Sequence, residues 1–124
     1  MNTISEDQRR FMQAGNQTTN IFNLEQVNLY LDLIHEEVEE LDLECISYDK
    51  ANILKEATDV LVVTFGLIWS MGVNPQDVWN LVHANNMAKV SDIVVKDESG
   101  KIMKSSESKA RKEKMMEDIK CLLK

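Results

Sequence analysis

The stretch "LEQVNLYLDLIHEEVEELDLE", residues 24–44, decides the fold. Leu24, Val27, Leu31, Ile34, Val38 and Leu41 recur at intervals of three and four, which predicts a packing seam along one long helix. Its second half, from Leu33 to Glu44, carries six acids in twelve residues. The ordinary reading of such a run is a solvated face, so the direction of each acid matters. With Ile34 at zero and an advance of about 100° per residue, Leu33 and Leu29 form a second apolar stripe near −100° and −140°. Glu37 falls at about −60°, Glu40 at about −120° and Glu36 at about −160°, so these three continue that stripe. Glu39, at about +140°, points elsewhere and reads as plain surface.

Working outward, Ser5 followed by Gln8 reads as a capping box opening a short helix to about Ala14. "GNQTTN" (15–20) is loop chemistry. After a turn near "SYDK" (47–50), a second long helix is expected from about Asn52 to Met71, ending at Gly72. Asn74, Pro75 and Asp77 then mark the start of a third, ending near Lys89. "IVVKDESGKIMK" (93–104) alternates weakly around a turn and reads as a small hairpin or irregular arm. Met115, Met116, Ile119, Leu122 and Leu123 predict a final amphipathic helix over about 106–123. Short loops between long helices imply an all-α fold of the antiparallel four-helix bundle type, built as a single domain over 1–124 with its core at about 5–104. One Pro and four Gly in 124 residues agree with long helices.

The formal charge is −7, which argues against nucleic acid as a partner. Residues 101–124 nonetheless hold eight Lys/Arg against four acids, a basic tail on an acidic body. Cys45 and Cys121 lie far apart with no CxxC pattern, and the start of the chain is polar and charged. Both fit a cytoplasmic protein with reduced thiols. The longest apolar run, "VLVVTFGLIWSMGV" (60–73), has 14 residues, too short for a membrane span. The helix from Val60 to Trp69 within it is apolar on every side, so burial against a second copy is expected, giving a homodimer or a dimer of dimers.

The second long helix repeats the acidic pattern. Glu56 and Asp59 are spaced like Glu37 and Glu40, and each pair stands side by side. Four carboxylates converging between antiparallel helices repel one another unless something positive sits among them. Lys50 and Lys55 are the nearest cationic side chains in sequence. Oxygen-only ligands of this kind suit a divalent cation, Mg²⁺ or Mn²⁺.

Glu36, Glu37 and Glu40, then fifteen residues, then Glu56 and Asp59 form E-E-x-x-E…E-x-x-D. This pattern resembles the signature of the all-α nucleoside triphosphate pyrophosphohydrolases, the MazG-like and phosphoribosyl-ATP pyrophosphohydrolase-like group. The similarity extends to "FMQAGNQ" (11–17), "EATDVLVVTFGLIWSMGVN" (56–74), "VHANNMAKV" (82–90) and "DESGKIMK" (97–104), and so spans most of residues 8–104. The resemblance implies that Glu37, Glu40, Glu56 and Asp59 hold Mg²⁺ and that Glu36 orients or deprotonates the attacking water. The implied reaction splits the α–β phosphoanhydride of a nucleoside triphosphate into the monophosphate and pyrophosphate. No feature specific to phosphoribosyl-ATP is visible. By analogy with the family, deoxynucleotides are the expected substrates, with dUTP, dCTP and dGTP all open.

Asn86 and Lys89 extend the apolar face of Val78, Trp79 and Val82 on the third long helix. A Lys there can neutralise phosphate and an Asn can hydrogen-bond phosphate or sugar. Gln17 is a candidate base contact by its place in the motif. His35 and His83 read as polar surface or core-edge residues. A di-iron bundle is disfavoured because no Glu-x-x-His occurs, the nearest being Asp32-x-x-His35. A non-catalytic helical homodimer that binds a partner is the alternative function, and metal-dependent release of pyrophosphate separates the two.

Overall fold

The computed structural model describes residues 3–90, 98–100 and 108–123. The fold is all-α. It contains α1 (Ile4–Ala14), α2 (Leu24–Ser47), α3 (Lys50–Ser70), α4 (Pro75–Val90) and α5 (Ser108–Leu122), with no strand among the described residues. The helices pack as a helical bundle, and the chain divides into two compact units, residues 1–75 and 76–124. No single described helix is long and apolar enough to cross a membrane.

In the first unit, α2 and α3 are joined by only Tyr48 and Asp49. Tyr48 takes the left-handed conformation at φ 59°, and the Asp49 side chain caps α3 by accepting from the Asn52 amide at 3.1 Å. That tight reversal fixes an antiparallel pair. Its register is symmetric about Tyr48. Gln26 meets Ser70, Tyr30 meets Gly66, and Glu37 meets Asp59, each pair equidistant in sequence from the turn.

The core of this unit is Met12, Tyr30, Val63 and Trp69, with Leu33, Ile34 and Leu67 packed against it. The face that α2 turns toward α3 therefore runs through Gln26, Tyr30, Leu33 and Glu37. This corrects the expected seam, for Leu24, Leu31 and Val38 are exposed. The contact is centred about 100° round the helix from the middle of that seam, on the side where Glu37 lies, and of the seam residues Ile34 still packs against the core. Gln26 can be buried there because its amide is fully engaged. Its oxygen accepts from the Thr18 amide at 3.0 Å, and its nitrogen donates to the Thr18 carbonyl at 2.7 Å and to Ser70 Oγ at 2.8 Å.

The helix α1 lies across α3. Its cap is Thr3, not Ser5 as the sequence suggested: Thr3 Oγ1 accepts from the Glu6 amide at 3.1 Å. Ser5 is instead buried in the first turn, where its hydroxyl donates to Asn74 Oδ1 at 2.7 Å. The Ser5 carbonyl accepts from Trp69 Nε1 at 3.0 Å, which satisfies the indole N–H inside the core. At the far end of α3, Gly72 has φ +77°, and a Cβ there would sit 2.8 Å from the Ile21 backbone, so the loop before α2 closes directly on it.

Pro75, the last residue of the first unit, opens α4 at the first helical position, as its fixed φ favours, and the rest of that helix belongs to the second unit. Val78, Leu81, Val82, Asn85, Ala88 and Lys89 form its half-buried stripe. Trp79, expected to share the apolar face of Val78 and Val82, is exposed. On α5, Met115, Ile119 and Leu122 are half-buried, while Met116 and, just past the helix end, Leu123 are exposed. The arm expected over 93–104 lies outside the described residues except for 98–100, as do residues 106 and 107 of the expected last helix.

Candidate functional site

The register about Tyr48 carries Glu37 on α2 across to Glu56 and Asp59 on α3. One carboxylate oxygen from each of the three lies within 4.8 Å of the other two. All three residues are half-buried. Glu37 Oε2 and Glu56 Oε2 are buried with no hydrogen-bond partner. Charged oxygens removed from water without a donor are costly, and a bound cation is the simplest way to satisfy them.

Glu37 feels this crowding most. Burial, a hydrogen bond shared with Glu40, and the charges of Glu40, Asp59 and Glu56 together push its carboxyl up to about 7. Glu40 is thus at the cluster through Glu37, although it is itself exposed and outside the set of three. The positive charge expected among these carboxylates is supplied in part by Lys55. Its ammonium lies 2.7 Å from Asp59 Oδ2 and 3.4 Å from Glu56 Oε1, and this pairing raises the Lys55 pKa. The side chain is 65% exposed, so Lys55 rims the cluster and leaves the orphaned oxygens of Glu37 and Glu56 unpaired. The Lys55–Asp59 pairing was legible as an i, i+4 match, but the sequence reading set the lysines aside in favour of a metal.

The donor set fits a hard divalent cation: carboxylate oxygens only, two without a donor, on two rigid helices. Opposite ligands on Mg²⁺ stand roughly 4.2 Å apart, twice the usual bond length. Carboxylate oxygens that all lie within 4.8 Å of one another can be drawn onto such an ion by rotation of the Glu side chains.

Glu36 and Glu39 are both exposed on α2, and neither belongs to the cluster. Gln17, half-buried in the loop after α1, accepts a 2.6 Å hydrogen bond from the Tyr30 hydroxyl. Its carbonyl oxygen is therefore already engaged, leaving the amide N–H groups as its recognition end. Burial raises the Tyr30 pKa against the lowering effect of hydrogen bonds with Gln17 and Gln8, so the phenol stays a donor. Tyr30 was not anticipated as the anchor of Gln17. A tyrosine in an acidic amphipathic helix carries no sequence signal for that role. Asn86, exposed, and Lys89, half-buried, stand one turn apart on α4 in the second unit.

A family model described as phosphoribosyl-ATP pyrophosphohydrolase matches residues 5–86 of the chain, from α1 into the last turns of α4. No curated protein matches.

Proposed function

Because the chain belongs to the phosphoribosyl-ATP pyrophosphohydrolase family, we propose that it hydrolyses a nucleoside triphosphate at the α–β phosphoanhydride. The products are the nucleoside monophosphate and pyrophosphate. The observation that carries this reading is the convergence of Glu37, Glu56 and Asp59, with two buried carboxylate oxygens lacking any donor.

In this reading Glu37, Glu40, Glu56 and Asp59 hold Mg²⁺, with Mn²⁺ as a substitute. When bound, the ion supplies positive charge that offsets the phosphates and the charge developing during the reaction. The protein's own contribution is to place carboxylates from two helices around one point and to position water. Glu36, exposed beside Glu37, takes the proton of the attacking water as its oxygen bonds to the α-phosphorus and the bond to the bridging oxygen breaks. Pyrophosphate departs with the electrons of that bond. Asn86 and Lys89 bind phosphate or sugar, and Gln17 contacts the base through its amide.

Deoxynucleoside triphosphates are the proposed substrates. The family description names phosphoribosyl-ATP, whose triphosphate offers the same anhydride, so it is the second substrate to test. The test is a panel of all eight common nucleoside and deoxynucleoside triphosphates plus phosphoribosyl-ATP, with pyrophosphate detection, with and without Mg²⁺. Metal-dependent pyrophosphate release from at least one supports the proposal. Release of orthophosphate instead would mean cleavage at another phosphate and would sink it; no release from any would sink it in favour of a non-catalytic helical homodimer.

We also propose a homodimer or dimer of dimers. Two apolar surfaces of the first unit support it. One is the exposed row Leu24, Leu31 and Val38 on α2. The other is a mainly apolar groove of about 360 Å³ between α1 and α3, lined by Ile4, Phe11, Val62 and Phe65 together with Asp7 and Gln8. A monomer gains nothing from leaving such rows wet. Sedimentation at micromolar concentration giving only a 14.2 kDa species would refute it.

A further inference from the structure

Trp79 is the one large aromatic of α4, and it is 56% exposed. Leaving an indole wet forfeits burial that the half-buried stripe on the same helix, through Val78 and Val82, secures. One turn along, the exposed His83 ring lies nearly parallel to the indole, with 10° between the planes and 6.0 Å between centroids. The indole thus presents a flat aromatic surface to solvent, with the imidazole ring alongside it. A preoriented ring loses less freedom when a ligand settles on it.

The same face continues down the helix. Asn86 lies two turns beyond Trp79, and Lys89 one turn further at its edge. The rise from Trp79 to Asn86 is about 10 Å along the helix axis. That is close to the span from the base to the phosphate chain of an extended nucleotide. A flat π surface, an amide and an ammonium therefore follow one another in the order base, sugar or α-phosphate, and outer phosphates.

We infer that this face of α4 is a nucleotide-binding strip, in which the Trp79 ring, backed by His83, stacks on the nucleobase while Asn86 and Lys89 engage the sugar-phosphate end. This rests on the nucleotide reading above and adds a base-recognition residue to it. Every base has a π face, so Trp79 supplies affinity for the base without a hydrogen-bond code. His83 is a positioning residue, acting through the indole.

The test uses the full chain with Mg²⁺ and two kinds of probe in calorimetry. One is the set of α,β-methylene analogues of ATP, dATP, dGTP, dCTP and dUTP, which cannot be split. The other is inorganic tripolyphosphate, which has the charge but no base. Trp79→Leu should weaken the best-binding analogue by roughly 10- to 100-fold, the range for losing one base–aromatic stack. It should leave tripolyphosphate affinity and oligomeric state unchanged. Trp79→Phe should recover most of the loss. Lys89→Gln should weaken both kinds of probe. In the wild type, nucleotides but not tripolyphosphate should quench the exposed-indole fluorescence. Unchanged analogue affinity in Trp79→Leu would overturn the inference while leaving the hydrolase reading intact. Equal loss for tripolyphosphate would reduce Trp79 to a structural role. A shift from dimer to monomer would make it a subunit contact. Failure of every analogue to bind the wild type would overturn the inference and the hydrolase reading together.

Discussion

Tyr30 lies directly on Gly66. A Cβ built at Gly66 would stand 2.1 Å from Tyr30 Cε1 and 2.5 Å from Cδ1, well inside contact distance. The absence of a side chain at 66 thus lets α2 and α3 approach closely, and that approach sets the distance between the carboxylates about two and three turns further along. Tyr30 is only 3% exposed and its hydroxyl is tied to Gln17, so the ring has no easy way to yield. Gly66→Ala should therefore destabilise the protein by about 1–3 kcal/mol or more, the range for overpacking a well-filled site. Urea unfolding measures it. In a double-mutant cycle with Tyr30→Ala the two losses should fall short of additive, because removing the ring also removes the clash. A loss below about 0.5 kcal/mol for Gly66→Ala, within the range of ordinary surface changes, would show that the helices separate freely.

Glu37 gives the metal-free protein a pH dependence of defined sign. Its folded-state pKa, about 7, lies above the ordinary 4.5. Below the lower value the group is protonated in both folded and unfolded chains, and its contribution to stability is fully present. Between the two values the unfolded chain ionises while the folded one keeps its proton. Above about 7 the folded chain carries the charge among Glu40, Asp59 and Glu56, and the contribution is gone. Metal-free stability should thus fall as pH rises through this window, and Glu37→Gln should flatten the slope. Saturating Mg²⁺ should also flatten it, since the ion takes the place of the proton. Denaturant midpoints across the window, with and without Mg²⁺, decide the matter. A slope of the opposite sign, or one that survives in Glu37→Gln, would show that another group controls it.

The helices were legible because their ends carry local chemistry. Asp49 caps α3 and Pro75 opens α4 through contacts within one turn. The inward face of α2 was less legible. Periodicity counts apolar residues, and two of the positions facing α3, Gln26 and Glu37, are polar. Gln26 is buried only because Thr18 and Ser70 satisfy its amide, partners that lie 8 and 44 residues away. Ser5 and Thr3 both fit a capping box, one with Gln8 and one with Glu6. What decides between them is tertiary: Trp69 and Asn74 claim Ser5. The acidic pairs were legible because like charges at matching spacing need an explanation wherever they point. Trp79 was not, because a helical wheel cannot say where a packed face stops. The half-buried stripe of α4 ends at Val78 and Val82, one side chain short of it.

Lys55 stands in competition with a bound cation. Its ammonium holds Asp59 at 2.7 Å and reaches Glu56 at 3.4 Å, two of the three carboxylates in the cluster. An incoming divalent ion must displace that ammonium or bind beside it against charge repulsion. Lys55→Gln should therefore tighten Mg²⁺ binding by roughly two- to fivefold, the scale of an exposed ion pair, with the gain shrinking as salt rises. Calorimetric titration of Mg²⁺ at low and high ionic strength checks this. Weaker binding in Lys55→Gln would mean that the lysine orients Asp59 for the ion and does not compete with it.

The neighbouring acids Glu36 and Glu39 separate reaction chemistry from surface charge. Both are exposed on α2, both lie outside the cluster of Glu37, Glu56 and Asp59, and each is within three residues of Glu37. They differ in direction. Glu36 lies about 100° round the helix from Glu37 on the flank that Glu40 shares, whereas Glu39 lies about 160° away on the far side. In the proposed reaction Glu36 reaches a water beside the cluster without surrounding the ion itself. Glu36→Gln keeps the size of the side chain and removes its ability to take a proton. It should leave Mg²⁺ and nucleotide affinity near normal and lower kcat by roughly 10²–10⁴-fold, the usual range for general acid–base work. Glu39→Gln removes the same charge from the same turn and should be nearly silent, so any general electrostatic effect of losing an acid cancels in the comparison. Steady-state rates and metal titrations on the two variants, in parallel with the wild type, test the assignment. Equal loss of activity in both would mean that local charge, not proton transfer, is being measured. Lost Mg²⁺ affinity in Glu36→Gln would place that residue among the ligands.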